Sequence, residues 1–247
     1  MYNIILLRYA KKQRILRMQK MNNLNMEVLM SEKFYKTILF DLDGTLTDPK
    51  EGITKSVKYA LDAFGVDDVR LDDLIKFIGP PLTDAFIEFY GFSEEEAKQL
   101  LAKYRERFAV KGIFENRLYD GIKSLLRDVK KQGKIIALAT SKPTVYAEQI
   151  LEHYDIMEYF DVIVGSYLDG RRTKKSDVIQ GVIDTLDDKE TAKMLMVGDR
   201  KHDVEGAANH GIDCAGVVFG YGGREELKEA GATYIVNTVD ELRRLIL

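Results

Sequence analysis

The chain has almost no cysteine: Cys214 is the only one in 247 residues. A lone thiol excludes any disulfide within the chain and fits a reducing compartment, so a cytoplasmic setting is expected. Cys214 sits in the apolar run Ile212-Asp213-Cys214-Ala215-Gly216-Val217-Val218, the surroundings of a small buried hydrophobe and not of a nucleophile. Histidine is almost as scarce, and His153, His202 and His210 lack the close spacing of a zinc site. No apolar run approaches the ~18 residues needed to span a bilayer. There is no internal repeat and no low-complexity tract. The formal net charge is only −3, which argues against nucleic acid or an anionic membrane as a partner.

One stretch departs from that charge balance. Residues 1–29 carry Arg8, Lys11, Lys12, Arg14, Arg17 and Lys20 against Glu27. Their apolar run, residues 4–7, precedes the basic residues and is short, unlike a secretory signal. A basic amphipathic helix on a membrane is one reading. The favoured expectation is a poorly ordered basic extension, with Met30 as the natural beginning.

From residue 37 onward the chain has rhythm. Short apolar runs at 37–42, 134–139, 161–164, 193–197, 216–219 and 234–236 read as strands. Amphipathic stretches at 120–132, 144–154, 176–186 and 239–245 read as helices, the second with Val145, Ile150 and Leu151 on its apolar face. The alternation predicts an α/β fold, a Rossmann-like parallel sheet with helices on both faces. Between residues 48 and 119 no strand is expected. Helices are expected at 53–64, at 83–90 after the Gly79-Pro80-Pro81 break, and from the capping box Ser93-Glu94-Glu95-Glu96 to about Phe108. The expected organisation is a core of residues 30–47 and 120–247 with a helical cap, residues 48–119, inserted as a lid.

The chemistry concentrates where expected strands end. Asp41-Leu42-Asp43-Gly44-Thr45 follows the first, Thr140-Ser141-Lys142-Pro143 the second, and Gly198-Asp199-Arg200-Lys201-His202-Asp203 the run 193–197. In a parallel sheet, ligands bind beyond such carboxyl ends. Two carboxylates one residue apart repel unless a cation holds them, which points to a nucleophile and a divalent metal. Asp41, Asp43 and Asp199 bring three negative charges, and a magnesium ion plus one lysine would balance them. Magnesium suits a few carboxylates, water and a phosphate oxygen, whereas zinc lacks its ligands here. The lysine would come from Arg171-Arg172-Thr173-Lys174-Lys175, before the helix at 176–186.

In this order, the four motifs and the helical insertion resemble the haloacid dehalogenase superfamily of phosphatases, over residues 34–247. The insertion is similar to the α-helical cap of the phosphoglycolate phosphatase subclass. The runs Phe77-Ile78-Gly79-Pro80-Pro81-Leu82, Ala139-Thr140-Ser141-Lys142-Pro143 and 196–203 resemble a 5′-nucleotidase-like bacterial branch. The resemblance implies that Asp41 is the nucleophile and forms an aspartyl-phosphate, and that Asp43 is the acid and base. It implies Mg2+ on Asp41, on Asp43 through its backbone carbonyl, and on Asp199. Thr140, Ser141, Lys142 and Gly44 would bind phosphate. Lys175, preferred to Lys174 because it directly precedes the helix, would pair with Asp41, and Asp203 would orient the loop.

The implied substrate is a small-molecule phosphate ester, a nucleoside 5′-monophosphate or phosphoglycolate. A phosphomutase of the β-phosphoglucomutase type and a non-catalytic phosphometabolite-binding module remain alternatives. Tyr59, Phe64, Phe86, Phe89 and Tyr90 are expected to be core in preference to a base-stacking platform. Gly79-Pro80-Pro81 is either a specificity loop facing the site or a rigid turn. Gly220-Tyr221-Gly222-Gly223 is expected to be a strand-to-helix turn and not a phosphate loop. Oligomeric state has no signature in the sequence.

Overall fold

The run Thr37-Ile38-Leu39-Phe40 has no polar face, and in the computed structural model, which describes residues 34–247, it forms the fully buried strand β1 (Thr37–Phe40). The basic extension 1–29 and the expected core residues up to 33 lie outside the described residues. After β1 come strand β2 (Thr47–Asp48), helices α1 (Lys50–Asp62), α2 (Leu82–Tyr90) and α3 (Glu94–Arg107), and strand β3 (Arg117–Leu118). The remainder alternates: α4 (Ile122–Lys131), β4 (Ile135–Pro143), α5 (Thr144–His153), β5 (Val162–Ser166), α6 (Lys175–Thr185), β6 (Met194–Gly198), α7 (Lys201–Ala208), β7 (Asp213–Val217), α8 (Gly223–Glu229), β8 (Tyr234–Val236) and α9 (Val239–Ile246).

The main sheet has the order β5-β4-β1-β6-β7-β8, and all its pairings are parallel. Thr37 lies opposite Ile135 on one side and Met194 on the other. The chain runs outward from β1 through β4 to β5, then returns to the far side of β1 as β6. Strand order therefore reverses at β1, and the crevice at such a reversal is where doubly wound folds bind ligands. Val178, Ile179, Val182 and Ile183 of α6 pack with Val204 and Ala207 of α7 against Leu39, Ala137, Ala139, Met194, Met196 and Cys214. Burying each valine, leucine, isoleucine or methionine among them contributes about 1.5–3 kcal/mol.

Strand β4 departs from regularity at the place that matters. The β4–β5 register holds through Ala139–Val164, shifts, and resumes at Pro143–Ser166. Such an irregularity leaves residues unpaired in the ladder and re-aims their side chains. Thr140, Ser141 and Lys142 are the residues it releases.

Three sequence expectations need correction. Strand β7 is Asp213–Val217, not 216–219. Asp213 enters the strand because it sits at the sheet's end, where its carboxylate accepts a hydrogen bond from Tyr35 Oη at 2.7 Å. The segment 48–119 is not free of strand: β2 and β3 pair antiparallel, Thr47 with Leu118 and Asp48 with Arg117, and bracket the helices. Val145 is exposed, because α5 buries Ala147, Ile150 and Leu151 instead.

Within the insertion, Ser93 and Glu96 form the expected capping box at the start of α3. Past Arg107 the helix loosens into a π-turn, Phe108–Gly112. Gly52 of α1 lies against this turn, and its N–H donates to Glu115 O at 2.8 Å. A Cβ on Gly52 would stand 1.9 Å from Gly112 O, and one on Gly112 would stand 2.6 Å from Ser56 Oγ. Glycine inside a helix costs about 1 kcal/mol relative to alanine, and here it permits that contact. Gly52→Ala should therefore lower stability by about 1–3 kcal/mol, the usual cost of overpacking. Denaturant unfolding that showed the alanine variant equal or more stable would contradict this account.

Candidate active site

Asp41 is the first residue beyond β1, and its N–H donates to Val197 O at 2.9 Å, so the backbone is still held by β6 as the carboxylate leaves the sheet. Asp199 follows β6 directly, and Asp203 lies in the first turn of α7. Carboxylate oxygens of Asp41, Asp199 and Asp203 all lie within 4.8 Å of one another, and all three residues are buried. Lys175, the first residue of α6, enters among them. Its Nζ is 2.8 Å from Asp41 Oδ1, 2.8 Å from Asp203 Oδ1 and 2.9 Å from Ala139 O. Lys174 is exposed, so Lys175 is the lysine that reaches Asp41.

Burial disfavours the Lys175 ammonium, but Asp203 and Asp41 beside it outweigh that and hold its pKa above the ordinary lysine value. Burial also pushes Asp199 well above the usual carboxylate range, and the neighbouring Asp203 and Asp41 push it further. Asp203 is raised by burial and by Asp41 against the pull of Lys175. With all three ionised, the carboxylates facing one ammonium carry a surplus of two negative charges, and burial together with that repulsion raises the pKa values of Asp199 and Asp203. Asp199 Oδ1 is buried without a hydrogen-bond partner. An orphaned oxygen and that surplus fit a divalent cation bound through oxygen.

Glycines press the backbone onto Asp199. Gly44 has φ +84°, and a Cβ there would stand 2.2 Å from Asp199 Oδ2. A Cβ on Gly220 would stand 2.3 Å from Asp199 Cβ, and the next residue, Tyr221, donates its N–H to Asp199 Oδ2 at 2.7 Å. The turn Gly220-Tyr221-Gly222-Gly223 thus holds Asp199, a task its sequence did not disclose. Gly44 was expected to bind phosphate, but its N–H donates to Thr47 O at 2.7 Å and is already used.

Above Asp41 lies a cavity of about 340 Å³. Asp41, Asp43, Thr140, Ser141 and Lys142 line it from the core, and Pro80, Thr83, Tyr104, Arg105 and Phe108 from the insertion. Gly79-Pro80-Pro81 therefore faces the site, and Arg200, next to Asp199, ties it down by donating to Ile78 O while pairing with Glu226 at 2.9 Å. Thr140 is buried. Lys142 was expected to bind phosphate, but its ammonium is paired with the Asp43 carboxylate. Burial raises the pKa of Asp43 despite Lys142, with Asp41 adding to the rise.

Of the aromatics in the insertion, Phe86 is core and packs with Phe89 and Tyr90 around Phe77, whereas Tyr59 is exposed. The aromatic residues that line the cavity are Phe77, Tyr104, Phe108, Tyr146 and Tyr167. Their scatter along the chain gives no local sequence signal. In the basic run, Arg171 and Arg172 lie over the Tyr167 ring at 4.7 and 4.3 Å, and Arg172 Nε donates to Gly165 O.

Residues 38–217 match the family model for haloacid dehalogenase-like hydrolases. A 5′-nucleotidase of Pseudomonas aeruginosa is 44% identical over 212 residues, covering 86% of this chain and 96% of that protein. The tyrosine-protein kinase PtkA of Mycobacterium tuberculosis is 38% identical over 211 residues, 85% of this chain and 72% of that one. The crystal structure of a predicted phosphatase from Clostridium acetobutylicum superimposes with a TM-score of 0.84 at 50% identity, covering 87% of this chain and 99% of that one. The chain belongs to the haloacid dehalogenase-like hydrolase family, as a phosphatase.

Proposed function

We propose that the chain hydrolyses a nucleoside 5′-monophosphate, with magnesium in the acidic site and Asp41 as the phosphorylated group. The observation that carries the catalytic reading is the Lys175 ammonium at 2.8 Å from both Asp41 and Asp203, beneath a cavity into which Asp43 also faces. Asp41 attacks phosphorus while the ester oxygen departs, and Asp43 gives that oxygen a proton. Water then attacks the aspartyl-phosphate, Asp43 takes a proton from it, and phosphate and free Asp41 result. Lys175 offsets charge on the transferring group, and Asp203 keeps Lys175 in place. Thr140 and Ser141 bind phosphate oxygens in this reading, which their lining of the cavity supports. A magnesium ion held by Asp41, the Asp43 carbonyl and Asp199, with Asp203 close by, would supply positive charge to the phosphate and to Asp41.

Cavity shape supports the substrate class. About 340 Å³ walled by Tyr104, Phe108, Tyr146 and Tyr167 suits a ribose and a base, and stacking on an aromatic side chain contributes about 1–3 kcal/mol per base. Phosphoglycolate, whose organic part is a two-carbon acid, would leave most of that volume to water. The 44% identity to a 5′-nucleotidase points the same way.

Asp41→Asn should retain the fold and lose at least about 10⁴-fold in kcat, the scale of removing a nucleophile; turnover near the unmodified rate would refute the role. Metal-stripped protein should gain thermal stability on adding magnesium. A hundredfold excess over Kd is worth about 2.7 kcal/mol, and each kcal/mol moves Tm by roughly 2–4 °C at this size. An unchanged Tm across millimolar magnesium would count against the metal site. Ranked by kcat/KM, nucleoside 5′-monophosphates should exceed phosphoglycolate and glucose 1-phosphate. Phosphoglycolate in first place would overturn the substrate class, and release of glucose 6-phosphate would indicate a mutase.

A further inference from the structure

Lys142 has no task in the chemistry above, yet it is among the most constrained side chains of the site. It belongs to the segment that the irregularity in β4 releases, and its side chain is only 5% exposed. Its ammonium pairs with Asp43 Oδ2 and lies 4.9 Å from the centre of the Phe108 ring. The other Asp43 oxygen, Oδ1, is buried without a hydrogen-bond partner, and Asp43 lines the cavity. Phe108 opens the π-turn of the insertion. Its ring stacks on Tyr104 at 5.1 Å and meets Tyr146 edge-on at 5.6 Å. A carboxyl from the core, an ammonium from β4 and a ring from the insertion therefore form one stack. An ammonium shielded from water is attracted to the negative face of such a ring.

We propose that Lys142 is a positioning residue for Asp43: it holds Oδ2 so that Oδ1 is the oxygen that handles the proton, and Phe108 seats Lys142 for that task. As the phosphorus–oxygen ester bond breaks, its electron pair stays on the departing oxygen. The proton on Oδ1 passes to that oxygen, leaving a neutral alcohol and an Asp43 carboxylate whose Oδ2 still accepts from Lys142. In the second half, Oδ1 takes a proton from the attacking water. Proper seating of the acid then depends on the insertion packing over the core, because Phe108 comes from the insertion. A lysine that merely bound phosphate would act on every ester alike, whereas one that positions the acid acts on esters whose leaving group needs a proton.

The inference rests on the phosphomonoesterase reading, and leaving-group dependence tests it. The kcat/KM of unmodified protein and of Lys142→Met is measured with a nucleoside 5′-monophosphate and with p-nitrophenyl phosphate, whose nitrophenolate departs unprotonated. Lys142→Met should lose about 10²-fold on the nucleotide, the lower range for general acid catalysis, and less than about 10-fold on the aryl ester. Equal losses on both overturn the proposal. Asp43→Asn should shift the ratio of the two esters in the same direction, and adding Lys142→Met to it should shift the ratio no further; a second full shift overturns the proposal. Phe108→Leu keeps apolar bulk without the ring face and should shift the ratio the same way by a smaller factor. Should Lys142→Met not fold, Phe108→Leu carries the test, and an unchanged ratio there overturns the proposal. Failure of the unmodified protein to release phosphate from either ester would instead overturn the phosphomonoesterase reading.

Discussion

The Lys175 ammonium, buried between Asp41 and Asp203, is the contact on which the rest of the site depends. Three carboxylates within 4.8 Å of one another would repel strongly in a dehydrated interior. One lysine offsets part of that repulsion and fixes where the Asp41 carboxylate stands. Burying charge is costly unless partners are well placed, and the Ala139 carbonyl at 2.9 Å gives the ammonium one more acceptor. Lysine at the start of α6, aspartate in the first turn of α7 and aspartate after β1 meet because the strands that precede them end at one edge of the sheet.

Close backbone approach completes the arrangement. Gly44 and Gly220 bring two loops against Asp199 at distances that exclude a Cβ. Gly198 does the same for Asp203, where a Cβ would stand 2.2 Å from the carboxyl carbon. The surplus negative charge that remains is a property of this packing, and it is what makes a divalent cation chemically fitting. Phosphate chemistry of this kind asks for positioned charge more than for covalent ingenuity.

The insertion contributes a different kind of constraint. Its helices enter and leave through the short ribbon of β2 and β3, and its π-turn brings Phe108 to the cavity. π-Turns inside helices are frequent at functional sites. The core carries the groups that would transfer phosphate, and the insertion carries much of the wall that would meet the organic part of the substrate. Family membership speaks to the first. Arg200 joins the two through Ile78 O.

Much of this molecule was legible in the chain itself, because the signals are local. Alternating apolar runs and amphipathic stretches announce a parallel α/β sheet through periods set by backbone geometry. The capping box at Ser93 announces a helix start, and aspartates at strand ends mark the sheet edge. Tertiary structure alone decided the rest. Nothing nearby in sequence pairs Lys142 with Asp43, holds Asp199 with the turn at Gly220, or brings Tyr104 and Phe108 to one cavity with Tyr146 and Tyr167. These are contacts between segments far apart in the chain, made or excluded by packing at distances of a few ångströms, and no local pattern of residues encodes them.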